Sequence, residues 1–335
     1  MAIIDVTRAY KDLLAREEEI TAAVRTSVGL FGDDQPLLAD AVARLLHSDC
    51  SKASVFRLLP IPVLGALGGD PDHALPLVVA SRIWWTGAEV FDDLADGQYD
   101  AVATGVPAAQ ASIASAACLA LVPLTVLDQQ ALPRHLKSSW VRECVDSSLQ
   151  AAEGQLADVS SASGFPSWAT AMRTYADKCG APYARDAAMA AQLAGASDEL
   201  LRGWRAFGRL FGVLRQLAND RSAESAETDE DLINGTNTLL LAHAAESAAG
   251  TAEWDTLTSL RVRARHDPAA RVAFGERLNA PDISGTYNQR VRSLHRNLCV
   301  LLETLADPSE DRDLIRWMLD ASAKASRLGR TEDAA

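Results

Sequence analysis

Three aspartates, Asp92, Asp93 and Asp96, close an apolar segment over residues 78–90. In a helix of about 3.6 residues per turn, positions 92 and 96 share a face and 93 lies beside them, so three carboxylates converge. Clustered acids repel one another, and cations relieve the repulsion. An all-oxygen donor set suits Mg²⁺. The same spacing also describes a solvated acidic helix end running into Gly97, because acidic pairs at element ends are ordinary. A second set, Gln216-Leu217-Ala218-Asn219-Asp220, ends another apolar segment and is followed by Glu224 and Glu227. If that helix continues, Asn219 and Glu227 stand two turns apart on one face, with Ala223 between them. Asn219, Asp220 and Glu227 would then offer oxygen ligands to a further Mg²⁺, although Ala223 leaves the middle position without one. The alternative is a helix C-terminus entering a charged loop.

The elements that must position these groups read as helices. Segments rich in Ala and Leu, with polar residues at helical spacing and few β-branched runs, cover residues 5–46, 73–96, 108–127, 133–159, 167–194, 198–219, 231–247 and 286–305. Short Gly, Pro, Ser and Asp breakers such as Leu67-Gly68-Gly69-Asp70-Pro71 and Ser163-Gly164-Phe165-Pro166 separate them. The expectation is an all-α antiparallel helix bundle, a single domain over 1–335. Residues 221–231 and the tail 327–335 carry no apolar face and are expected to be mobile.

Composition narrows the function classes. No apolar stretch is expected to approach the roughly 20 residues of a membrane span, and the first 16 residues lack the basic-then-apolar layout of a secretory signal. A soluble, cytoplasmic protein without stable membrane insertion is expected. The five cysteines are widely spaced and form no Cys-x-x-Cys pair, so they read as reduced core thiols. A formal charge of −13 argues against nucleic acid or an anionic membrane as partner, since both need a basic face. None of the six histidines stands at metal spacing from another histidine or an acid in the sequence, and His243 reads as a core residue.

Five landmarks in order resemble the trans-prenyl diphosphate synthases and their relatives, the class I isoprenoid synthases. Asp92-Asp93-Leu94-Ala95-Asp96 resembles their first aspartate-rich motif. Glu153-Gly154-Gln155-Leu156-Ala157-Asp158, Lys178-Cys179-Gly180 and the run from Gly212 to Asp220, similar to the second aspartate-rich motif, follow. Asp231-Leu232-Ile233-Asn234-Gly235-Thr236-Asn237-Thr238 is close to the family's Asp-Leu-x-Asn-Gly-Lys-x-Thr. Together they cover most of residues 40–250. The resemblance implies a helix bundle around a central cavity, with two metal-binding helices facing each other across it and three Mg²⁺ holding one prenyl diphosphate. It also implies a homodimer. Because the chain is acidic, the diphosphate would depend on cations and placed Lys and Arg to reverse the field locally.

The departures from the family bear on which reaction follows. The Gly-Gly-Lys-Arg-x-Arg-Pro segment that helps bind isopentenyl diphosphate is replaced by Ser51-Lys52-Ala53-Ser54-Val55-Phe56-Arg57, where Lys52 and Arg57 are partial substitutes. The Arg-Arg-Gly after the first motif has become Ala103-Thr104-Gly105, and the lysine of Asn-Gly-Lys has become Thr236. Asn219, Ala223 and Glu227 stand at the spacing of the metal-binding triad of terpene cyclases, matching it at two positions of three. By the same resemblance Arg173, Lys178, Gln155 and Gln216 contact the diphosphate, although Arg173 could equally pair with Asp177. Trp84, Trp85 and Phe91 offer faces to a carbocation or simply pack between helices. Small residues at Gly87 and Ala88 leave room for a long chain if that face lines the cavity.

The leading expectation is thus a terpene cyclase-like ionisation of an allylic prenyl diphosphate. A chain-elongating prenyltransferase is the alternative, and a non-catalytic partner subunit of such a synthase is the third reading.

Overall fold

The computed structural model describes residues 6–49, 54–160, 164–221 and 225–327. Lys52, Ala223 and Glu224 lie outside them. The described residues form helices and no β-strand, as the patterning predicts. They gather into two compact units, one made of the described residues within Met1–Leu149, Pro182–Gly208 and Leu302–Trp317, the other of those within Gln150–Ala181, Arg209–Leu301 and Met318–Ala335.

In the first unit the central element is the helix Leu75–Ala95. Pro76 sits in its first turn, where a missing N–H costs no hydrogen bond, and Gly97 leaves it with φ +72°. Its apolar residues are buried on most sides, but Trp85, Ala88, Glu89 and Asp92 form a half-exposed stripe at helical spacing. Gly87 lies off that stripe. A Cβ there would stand 2.7 Å from the Cys118 Cβ, and Ser115 donates its hydroxyl to the Gly87 carbonyl at 2.8 Å. The glycine therefore belongs to a helix seam rather than to a substrate wall, which corrects its sequence reading; Ala88 remains on the exposed face.

The stretch that meets Gly87 runs Ala108–Asp128, through the helix Ala108–Ala116 and the π turn Ala117–Leu121. At 21 residues and mean hydropathy 1.8 it is long and apolar enough to cross a membrane, contrary to the sequence expectation. Half of it is buried within the fold because it covers the Leu75–Ala95 helix. Trp84 is a core residue, 4% exposed, with the Arg185 guanidinium 5.0 Å from its ring centroid. Arg185 is itself paired with Asp186 at 2.8 Å, and both are buried.

The predicted segment 167–194 is interrupted by a π turn of the second unit, Ala176–Gly180, between Trp168–Tyr175 and Ala181–Leu193, with the first unit resuming at Pro182. A Cβ on Gly154 would fall on the backbone nitrogen of Lys178, so the helix Arg134–Val159 meets this turn backbone to backbone. Gly212 repeats the device, since its Cβ would stand 2.5 Å from the Cys179 carbonyl. The predicted segment 231–247 is split into Glu230–Asn234 and Leu239–Ala248 by Gly235, whose φ of +75° ends the first helix. Two arginines fix the surrounding loops: Arg261 donates to the carbonyls of Gly164 and Gly235, and Arg271 to those of Glu227 and Ala264. Among the described residues, five α-helices lie outside every predicted segment: Pro60–Ala66, Ala101–Thr104, Glu253–Ala264, Pro268–Leu278 and Glu310–Ala325.

Candidate functional site

Each unit holds one group of the predicted residues. In the first, Asp92 and Asp93 are half-buried in the last turn of the Leu75–Ala95 helix and Asp96, exposed, is its C-cap. The carbonyl of Asp93 accepts the backbone N–H groups of Gln98 and Tyr99 at 2.8 and 3.0 Å, which folds the chain back over the helix end. The Tyr99 hydroxyl then bonds Thr104 at 2.7 Å and the Val106 carbonyl at 2.8 Å, securing the loop. Three acids at a helix C-terminus oppose the macrodipole as well as each other, and a bound cation relieves both terms.

Arg57, predicted to bind a diphosphate, forms an ion pair with Glu89, one turn before the aspartates, and its guanidinium lies 5.1 Å from the Trp85 ring centroid. A cation is thereby held on the same stripe as the acids. Lys52 lies outside the described residues. Phe91 is 45% exposed, so of the three aromatics only Trp84 is a plain core residue.

The second unit assembles a larger set. The helix Asp198–Asn219 ends at Asn219, which is exposed, and Asp220 follows it with its carboxylate turned inward. Tyr175 donates to Asp220 at 2.6 Å and Gln216 at 2.8 Å. Gln216 in turn accepts from the Cys179 thiol at 3.1 Å. Lys178, on the π turn, pairs with Asp158 at 2.7 Å. π turns are rare, and they recur at functional sites.

The electrostatics link these groups. Loss of solvation, then the nearby charges of Asp231 and Asp158, push the Asp220 carboxyl up to about 8. Burial and the neighbouring Asp229 push Asp231 up to about 6, against which Thr236 and Lys178 act. Asp220, Asp229 and Asp231 also line one small cavity of about 190 Å³ with Arg221 and Asn279. Carboxylates that share a poorly solvated site retain protons unless a cation replaces them, so this donor set fits a hard divalent ion such as Mg²⁺.

Other predicted residues stand apart. Glu227 is exposed, and its side chain is not carried on the helix of Asn219, because that helix stops. The conditional reading of Asn219 and Glu227 on one helical face therefore fails. The run after Asp220 is rich in Ser, Thr, Asp and Glu without an apolar face, so polar side chains compete for the backbone. Asp229 does this directly, accepting the Leu232 N–H at 3.2 Å to cap the next helix. Gln155 is half-buried beside Gly154, and Arg173 is exposed. Asp177 pairs with Arg209 rather than with Arg173. Sequence reasoning quoted Asp158 and Asp231 only as parts of motifs, and missed Tyr175, which carries no motif signal.

No family model matches the chain, and no curated protein matches it. Solved structures do. A polyprenyl synthetase from Streptomyces coelicolor A3(2) superposes with a TM-score of 0.79 at 20% identity, covering 93% of this chain and 99% of that one. A geranylgeranyl pyrophosphate synthetase from Pyrococcus horikoshii Ot3 gives 0.77 at 18% identity, over 94% and 99%. A geranylgeranyl pyrophosphate synthase from Corynebacterium glutamicum, complexed with isoprenyl diphosphate and magnesium, gives 0.72 at 18% identity, over 92% and 99%. The chain has the fold of these polyprenyl and geranylgeranyl diphosphate synthases, the all-α class I isoprenoid synthase fold.

Proposed function

We propose that the protein is a Mg²⁺-dependent enzyme of prenyl diphosphate chemistry, acting in the cytoplasm as a chain-elongating prenyltransferase that joins isopentenyl diphosphate to an allylic primer. The observation that carries this reading is the cluster of Asp158, Lys178, Asp220 and Asp231. It joins a poorly solvated carboxylate set to a lysine, so cation and phosphate binding can be combined in one unit. Its support outside the chain is that the structures of like fold are prenyl diphosphate synthases. Bound Mg²⁺ would neutralise the diphosphate as a leaving group. Asp92, Asp93 and Asp96 would hold cations in the first unit, and Asp220 with Asp231 in the second. Lys178 and Arg57 would meet phosphate oxygens as point charge and planar donor respectively. Tyr175 and Gln216 orient the Asp220 carboxylate. The number of ions expected is three, as the resemblance implies.

The cyclase-like reading stays second. Its motivation is the loss of arginines at Ala103-Thr104-Gly105 and of the lysine at Thr236. Against it stands the early end of the Asp198–Asn219 helix, which leaves Glu227 off the face of Asn219. We further propose a homodimer. Val141, Val145 and Leu149 recur every fourth residue on one helix and are 42%, 46% and 67% exposed, an unpartnered apolar ridge that a second copy would cover.

The experiment is incubation of the pure protein with Mg²⁺ and geranyl, farnesyl or geranylgeranyl diphosphate, with and without labelled isopentenyl diphosphate. Label in a longer chain is the expected result. A hydrocarbon or alcohol formed without isopentenyl diphosphate would overturn it in favour of cyclisation. No product from any pair would leave the partner-subunit reading in its place.

A further inference from the structure

Outside the aspartate groups, one set of side chains among the described residues has the donors of a softer metal. His295 and Cys299 are one turn apart on the helix Pro281–Leu305, and Asp320 comes from Glu310–Ala325. The ligand atoms of all three lie within 4.8 Å of one another. The His295 Nε2 is 2.7 Å from the Asp320 carboxylate and 3.5 Å from the Cys299 sulfur. The sequence reading found no histidine at metal spacing because it sought acids and histidines close in the chain, and Asp320 is 25 residues from His295.

The arrangement could be a hydrogen-bonded relay or a metal clasp, and the ring nitrogen decides between them. In a thiol–imidazole–carboxylate relay the sulfur and the carboxylate use opposite nitrogens of the ring. Here both approach Nε2, so they converge on one point instead of flanking the ring. A tetrahedral Zn²⁺ held at about 2.0 Å by nitrogen and about 2.3 Å by sulfur separates those two atoms by about 3.5 Å, matching the observed 3.5 Å. The carboxylate is closer than a shared ion requires, but the Asp320 side chain is 56% exposed and can swing outward.

We propose that His295, Cys299 and Asp320 form a Zn²⁺ site with three protein ligands and water in the fourth position. Cys299 binds as thiolate, its proton leaving to solvent as the S–Zn bond forms. Cys299 is 5% exposed, so the site has one buried soft ligand under two more accessible ones. Nitrogen and sulfur donors separate it chemically from the all-oxygen aspartate groups, which favour Mg²⁺. The clasp would tie the two C-terminal helices together and is independent of the reaction proposed above.

The test uses the tag-free, full-length protein in excess Mg²⁺, titrated with Zn²⁺ and, as a spectroscopic probe, Co²⁺. One Zn²⁺ per chain should bind, Co²⁺ should give a thiolate-to-metal charge-transfer band, and Zn²⁺ should raise the melting temperature. Cys299→Ser should remove the band, and His295→Ala should weaken binding by about 10-fold or more. Asp320→Asn, at an exposed position that leaves folding intact, should weaken it similarly. Asp92→Ala should change none of this. A Co²⁺ spectrum without the sulfur band, or Zn²⁺ binding that survives both Cys299→Ser and Asp320→Asn, would overturn the proposal.

Discussion

The hydroxyl of Tyr175 donates to the Asp220 carboxylate at 2.6 Å while accepting the backbone N–H of Leu239 at 3.3 Å. One phenol thus joins the helix Trp168–Tyr175, the end of Asp198–Asn219 and the start of Leu239–Ala248. Tyr175 is buried, and its own ionisation is pushed well above the usual range by burial and by Asp220 and Asp231. It therefore acts as a neutral donor, stabilising the charged form of Asp220.

Tyr175→Phe removes that donor with little change in volume. Asp220 should hold its proton more tightly, so Mg²⁺ must displace it at greater cost. We expect weaker Mg²⁺ binding near neutral pH, a difference that shrinks as rising pH ionises Asp220 in both proteins. Stability should fall by about 1 kcal/mol from the lost hydrogen bonds. Calorimetric Mg²⁺ titrations at two pH values check this; a difference that does not depend on pH would show that Tyr175 has only a structural role.

The metal-free protein should lose stability as pH rises. Asp220 and Asp231 titrate near 8 and near 6 when folded, above the range near 4 of an unfolded carboxyl. Between those limits the folded state binds more protons than the unfolded one, so its stability is greatest below about pH 4 on this account and declines through pH 8. Other carboxyls shape the acid limb, which places the test between pH 6 and 9. Melting temperatures in chelator should fall across that interval, and Asp220→Asn should flatten the fall. Mg²⁺ should restore more stability at pH 8.5 than at pH 6.

Much of this site was legible because the acids stand in ordered motifs at the ends of apolar segments, and helix periodicity placed Asp92 and Asp96 together without any tertiary knowledge. Tyr175 was not legible: a lone tyrosine in an amphipathic segment has no spacing that betrays a partner 45 residues away. Glu227 stands off the face of Asn219 for a local reason. The shared face held only if the helix continued past Asn219, whereas it ends there and Asp229 captures a backbone N–H and starts a new helix. The helix Glu253–Ala264 escaped because its apolar residues form no clear stripe, although Leu257 and Ala264 are fully buried by neighbouring helices. Glu310–Ala325 was readable in retrospect, since Leu314, Ile315, Met318 and Leu319 recur at helical spacing and are all buried.

Gly154 and Gly285 should respond oppositely to alanine. At Gly154 the new methyl falls on the Lys178 nitrogen, so the Arg134–Val159 helix or the π turn must move. Overpacking of this kind costs about 1–3 kcal/mol, and it should also disturb the Lys178–Asp158 pair. Gly285 lies within Pro281–Leu305 with nothing within 4 Å of the added carbon. There alanine should stabilise by about 0.5–1 kcal/mol through helix propensity. Urea unfolding of both variants provides the measurement.

The apolar ridge gives a prediction about assembly. Val145→Asp and Leu149→Asp place charge on exposed positions, so neither should disturb the monomer's own packing. Burying that charge against a second copy would be costly. Sedimentation should show a dimer for the parent protein and a monomer for the double variant, with unchanged helix content. A monomeric parent would remove the dimer proposal outright.

The two aspartate groups can be tested against each other and against Glu227. Asp92→Ala removes a half-buried carboxylate from the first group, and Asp220→Ala removes the inward carboxylate of the second. If each group holds cations for the leaving diphosphate, each variant should lose several kcal/mol of transition-state stabilisation, roughly 10²–10⁴ in kcat. Circular dichroism should be unchanged for Asp92→Ala, which sits at a helix end where the macrodipole disfavours an acid. Glu227→Gln is the discriminating third variant. Its side chain is exposed and off the helix of Asn219, so product formation should stay within about twofold of the parent, as for a surface substitution. A loss as large as that of Asp220→Ala would instead mean that residues 219–227 become helical when cations and substrate bind. The cyclase-like arrangement of Asn219 and Glu227 would then regain the lead. Product analysis of the three variants beside the parent, at saturating Mg²⁺, separates the two cases because only the second makes Glu227 and Asn219 interdependent.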